Sequence, residues 1–122
     1  MIPVAKRLGN KWERRVLSKG DITVIDQILL SIKLFQQAER EGVTLNSHAL
    51  AALGRAKDLM EEYPNAFRGK GRLPDPVRRE AGWIRSALFD AISEIAPSDC
   101  YFGDDPFGEN EIGFWPSCWG YI

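Results

Sequence analysis

Histidine occurs once in these 122 residues, cysteine twice, and there is no run of 18 apolar residues. Without such a run no segment is expected to cross a bilayer as a helix. The opening Met1-Ile2-Pro3-Val4-Ala5-Lys6-Arg7 has no apolar stretch of export-signal length. Cys100 and Cys118 are therefore expected to be reduced thiols and the chain cytoplasmic. Together with His48 they lack the paired ligand spacing of a zinc site. Asp104, Asp105, Glu109 and Glu111 do not form an EF-hand, because Pro106 and Gly108 stand where oxygen ligands are needed. There is no P-loop pattern and no dinucleotide-binding fingerprint after a strand. No nucleophile signature surrounds His48. The sequence thus predicts a non-enzyme with no catalytic residue, metal or cofactor.

What is present reads as ordinary globular usage: 44% hydrophobic and 27% charged residues, with a net charge of −1. That balance excludes a uniformly basic nucleic-acid binder and fits one domain. The charge is unevenly laid out. Residues 1–20 carry Lys6, Arg7, Lys11, Arg14, Arg15 and Lys19 against Glu13 alone, and residues 97–122 carry five acids and no base. Either the two ends lie together and neutralise one another, or one end meets an oppositely charged partner.

Apolar spacing then predicts the elements. A short helix over about 11–18 is expected, with Trp12 and Val16 four apart on one face and Gly20 ending it. The next helix is capped by Asp21 or Thr23 and stopped by Gly42. It carries Val24, Ile25, Ile28, Leu29, Ile32 and Phe35 on one face. A second stripe on it, Leu30, Leu34 and Ala38, is expected to be covered by Val4, Leu8 and Trp12 or by a second copy of the chain. A third helix is capped by Asn46 or Ser47, with Leu50, Leu53, Ala56, Leu59, Met60 and Tyr63 inward. Pro64-Asn65 ends it, and residues 64–75 read as a loop. Asp75-Pro76 starts a fourth helix with Val77, Ala81, Ile84, Leu88, Ala91, Ile92 and Ile95 on its inner face. Trp83 and Phe89 fall outside that face and must dock elsewhere or stay exposed.

Residues 97–122 hold seven of the thirteen aromatic residues. Cys100-Tyr101-Phe102 and Ile112-Gly113-Phe114-Trp115 read as two strands around a polar turn. The expected architecture is α+β: a small bundle of three main helices plus a short N-terminal one, with a C-terminal β-hairpin. It divides into a basic N-terminal segment (1–20), a helical core (21–96) and an aromatic, acidic hairpin tail (97–122). The core is expected to gather Ile25, Ile28, Leu29, Ile32, Leu53, Leu59, Ile84 and Leu88.

Aromatic anchors in an acidic frame suit a partner protein with a basic surface. Tyr101, Phe102, Asp104, Asp105, Phe107, Glu109 and Trp119 are the candidate contacts, unless these aromatics fill the chain's own core. The alternative is a small nucleic-acid-associated protein using Lys6, Arg7, Lys11, Arg14 and Arg15, with Lys70 and Arg72 as a second patch. The latter two lie in Arg68-Gly69-Lys70-Gly71-Arg72, a basic, glycine-rich loop whose backbone and guanidinium groups suit phosphate. No membrane partner is expected, and the chain is expected to be a monomer or a homodimer. The pattern Tyr101-Phe102-Gly103 with Ile112-Gly113-Phe114-Trp115-Pro116 resembles the ending of short bacterial, plasmid and phage proteins, over less than a fifth of the chain. That resemblance implies a small accessory or mobile-element protein that binds a host or defence factor, for example as an inhibitor.

Overall fold

The computed structural model describes residues 7–13, 15–19, 23–97, 99–104 and 111–116. The first long helix, α1 (Val24–Arg40), starts where Thr23 Oγ1 accepts the Asp26 amide at 3.1 Å. Beyond its end Gly42 takes a φ of 86°, a conformation that suits a residue without a Cβ. Its buried face is Ile28, Ser31, Leu34, Phe35 and Ala38. Residues of the two expected stripes therefore meet in one buried arc, and Leu29, expected in the core, points away from that arc and is only half-buried. Ile25 and Ile32 are partly buried against the core. Ser31 is fully buried and satisfies its hydroxyl by donating to the Gln27 carbonyl at 2.8 Å.

The second helix, α2 (Ser47–Glu62), is capped by Asn46, whose side-chain oxygen accepts the Ala49 amide at 2.9 Å. Ala49, Ala52, Leu53, Ala56 and Leu59 are buried. Leu50, expected inward, is exposed, because the small alanines rather than the larger leucine face the neighbouring helix. Pro64 does not simply open a loop. It supplies the first position of a single turn, α3 (Pro64–Phe67), where its missing N–H has no helical partner to lose.

The longest helix, α4 (Asp75–Glu94), packs against both α1 and α2. Ala81, Ile84, Leu88, Phe89, Ala91 and Ile92 are its buried residues. Asp75 is its first residue rather than its cap, and its carboxylate instead pairs with Arg78 at 3.5 Å. Phe89 docks on Phe102 with ring centroids 4.7 Å apart, whereas Trp83 stays in solvent.

The principal correction concerns the N-terminal segment. Residues 11–18 do not form a helix: a 3-10 turn over Asn10–Trp12 leads into a strand, β1 (Val16–Lys19). The tail forms the expected hairpin of β2 (Cys100–Asp104) and β3 (Glu111–Pro116), in register from Cys100 opposite Pro116 to Asp104 opposite Ile112. β1 adds antiparallel to the far side of β3, giving the sheet order β1-β3-β2. A four-residue spacing of two apolar residues is a weak local preference, and an unpaired edge of β3 offers this segment a row of hydrogen-bond partners that a short helix lacks. The pairing also sets the basic N-terminal segment beside the acidic tail, with Lys19 opposite Glu111 in register.

Helices and sheet share a core in which Phe114 is fully buried, 5.2 Å from the Phe102 ring and 6.1 Å from Trp12. Leu53, Leu59, Ile84, Leu88 and Ile28 are buried in the same cluster, as the apolar spacing predicts. Leu8 and Trp12 are buried in the same core as Leu34 and Ala38, and Val4 lies outside the described residues. Among those residues no helix is long and apolar enough to cross a membrane.

Candidate functional site

Among the described tail aromatics, Phe102, Phe114 and Trp115 are taken up by the fold. Phe102 is buried between Phe89 and Phe114, and its amide donates to Ser93 Oγ at 3.1 Å. Trp115 is buried and its indole N–H donates to the Gly103 carbonyl at 3.0 Å. Tyr101 is half-buried and its hydroxyl reaches the Asp104 carbonyl at 3.3 Å. Of the expected partner contacts, Asp104 is exposed. Asp105, Phe107, Glu109 and Trp119 lie outside the described residues, as does Cys118, while Cys100 is buried in β2.

The basic residues divide into two groups. Lys11 pairs with Glu41 at 3.3 Å, just past the end of α1. Glu41 also accepts the Trp12 indole N–H at 2.9 Å and the Gln37 amide at 3.1 Å. Burial alone would push the Glu41 carboxyl up; the hydrogen bonds from Trp12, Gln37 and Lys11 outweigh it and hold the group below the usual carboxylate range. The Arg15 guanidinium lies 4.7 Å from the centroid of the Trp12 ring. Lys11 and Arg15 are thus committed to anchoring the N-terminal segment. Arg7 is exposed, and Lys6 and Arg14 lie outside the described residues. Lys70 and Arg72 belong to the loop after α3, beside the opposite end of α1, where Arg72 shares a cavity with Thr23 and Val24. A 17-residue helix separates the two groups by about 25 Å, so they do not form one patch.

His48 also has a structural partner. Its Nδ1 lies 3.1 Å from Glu94 Oε1, and the Asn46 amide donates to Glu94 Oε2 at 2.8 Å. This bracket ties the start of α2 to the end of α4. The bonds from Asn46 and His48 lower the Glu94 carboxyl below its ordinary value, against a smaller opposing effect of burial. Among the described residues no three His, Cys, Asp or Glu side chains gather as a metal-binding group.

The surface that stands out lies where α4 runs beside α2. Trp83 is 69% exposed. It borders an open hollow of about 570 Å³ together with Arg55 from α2 and Pro76, Arg79 and Glu80 from α4. Positions 76, 79, 80 and 83 recur at helical spacing, so the α4 residues share one face. The hollow is floored by the antiparallel packing of α2 on α4, which the Asn46–Glu94 bracket helps to fix. Arg55 and Arg79 oppose Asp75 and Glu80, a mixed-sign rim around an apolar centre. Reasoning from sequence placed the binding aromatics in the tail and passed over this face; the available signal was that Trp83 falls outside the inner stripe of α4. No family model, curated protein or solved structure matches the chain.

Proposed function

We propose that the chain is a non-enzymatic protein-binding module, an accessory or inhibitor protein, that docks through the α4 face centred on Trp83. The observation that carries this reading is the exposure of that indole beside two arginines. Tryptophan and arginine are the residues most enriched among those that dominate binding energy at protein interfaces. A tryptophan buries up to about 250 Å². At about 25 cal/mol per Å², covering the exposed 69% of it is worth about 4 kcal/mol. Among the described residues none covers that indole, and Phe89 rather than Trp83 closes α4 onto the sheet. The mixed-sign rim favours a partner with its own apolar centre and charges of both signs, and it departs from the basic surface that the acidic tail alone suggests.

The test replaces Trp83 by Ala and by the photo-crosslinking residue benzoyl-phenylalanine. The Ala variant is expected to keep its melting temperature, since an exposed side chain contributes little to stability. It is expected to lose a partner protein that the parent retains, and the crosslinker is expected to capture that same protein in the source cell. A specific partner held equally well by both chains, or salt-sensitive binding to DNA or RNA with no protein captured, overturns the proposal.

A further inference from the structure

A second cavity, of about 530 Å³, opens on a different side of the molecule. It lies between the first turn of α1, the loop that follows α3, and the second turn of α4. Ile25, Phe67, Leu73 and Ala81 make apolar walls, and Arg72 and Arg78 stand among them. Ala81 is two residues from Trp83, about 200° around the helix, so this cavity and the Trp83 hollow are separate. We propose that it binds a small amphipathic anion: an apolar body in the cavity and a carboxylate at Arg72.

Three observations support this assignment. The volume lies within the range of about 300–1,000 Å³ typical of small-molecule sites. The lining is mostly apolar with a few polar groups, the composition that takes up an apolar body and orients one charged head. The charge at the mouth favours an anion. Arg72 is exposed and makes no ion pair among the described residues, and Arg68 and Lys70 flank it on the same short loop. Arg78 is otherwise engaged: its Nε donates to the Leu73 carbonyl at 3.1 Å, and its guanidinium pairs with Asp75. It therefore shapes the wall and holds the loop, leaving Arg72 as the head-group contact. Asp26 also borders the cavity, and its carboxylate directs an anionic head away from α1 and toward Arg72. Covering Ile25 and Phe67, which the fold leaves only half-buried, provides the apolar gain.

The test is a two-dimensional amide NMR titration of the full chain with octanoate, and in parallel with octylammonium and octanol. Octanoate is expected to give saturable shifts at Ala66, Phe67, Leu73 and Ala81, with a Kd of about 1 mM or below. Octylammonium and octanol are expected to bind at least about tenfold more weakly. Arg72→Glu is expected to weaken octanoate about tenfold or more while leaving the spectrum folded. Val24→Trp fills the mouth from a position that is already 38% exposed, so it is expected to abolish binding without unfolding the chain. Absence of saturable shifts, an ammonium or alcohol that binds as well as the carboxylate, or an unchanged affinity in the Arg72 variant overturns the proposal.

Discussion

Replacing Gly113 by Ala tests the least expected part of the fold, the seam between β1 and β3. Gly113 stands opposite Val16 in register. A Cβ built there falls on the Arg15 carbonyl oxygen, well inside van der Waals contact, with Arg15 C and Trp115 Cζ2 each 3.3 Å away. The end of a flexible side chain can swing aside, but the backbone oxygen of the residue that leads directly into β1 moves only if the strand moves with it. β1 must move off by roughly an ångström, given that non-bonded atoms prefer about 3.5–4.0 Å. Overpacking of this kind costs about 1–3 kcal/mol, and each hydrogen bond lost from the seam adds about 1 kcal/mol. We expect a loss of about 3 kcal/mol, or about 10 °C in melting temperature for a chain of this size. Urea unfolding followed by far-UV circular dichroism measures it, with the slope m checking that both chains unfold as two states. Gly54→Ala is the matched control. Gly54 lies inside α2, and a Cβ there meets nothing within 4 Å, so the same chemical change is expected to stabilise by about 0.5–1 kcal/mol. A Gly113→Ala protein within about 0.5 kcal/mol of the parent refutes the β1–β3 pairing.

Other expectations follow from the same geometry. Leu88→Ala, at a fully buried position, is expected to cost about 2–5 kcal/mol, and Leu29→Ala, half-buried and pointing away from the buried arc of α1, clearly less; equal losses would mean that this arc is misplaced. Asn46→Ala removes both the cap of α2 and a bond to Glu94, and is expected to cost about 1–2 kcal/mol by the same urea assay. Glu41 titrates below its ordinary value of 4.5 in the fold, so its contribution is full above the unfolded value and is lost as pH falls through the folded one. The stability gap between the parent and Glu41→Gln is therefore expected to be constant near neutrality and to close as pH falls below about 4.5; a gap that widens with acid contradicts the Lys11–Trp12–Glu41 anchor.

The helices were legible because their signals are local. Thr23 and Asn46 were among the candidate caps, and Pro64 and Pro97 lie where α2 and α4 have ended. Which apolar residues face inward was less legible. In α1 and α2 the buried arc turns away from Leu29 and Leu50 toward Ser31, Ala38, Ala49 and Ala52, because close helix packing favours small side chains at the contact. β1 was not legible. Its conformation is fixed by β3, almost a hundred residues away, and a local reading sees only Trp12 and Val16 at a spacing that suits a helix. The same holds for the candidate surfaces. Phe102 reads as an anchor by residue type, and only the tertiary fold distinguishes an aromatic that fills the core, as Phe102 does, from one, like Trp83, that is left outside it.

The central position of β3 also sets an order of assembly. β3 is the last of the three strands in the chain, yet β1 and β2 each pair with it and not with each other. During synthesis from the N-terminus, α1, α2 and α4 can find one another through contacts close in sequence, which form fast. β1, the first strand made, has no partner until residues 111–116 emerge, and Leu8 and Trp12 wait with it for the aromatic surface that Phe114 completes. Until residues 111–116 have been made, the nascent chain therefore carries an unpaired strand and an unsheltered indole, and the basic residues around them, Arg7, Lys11 and Arg15, give that segment the charge that keeps a waiting strand from pairing with another copy.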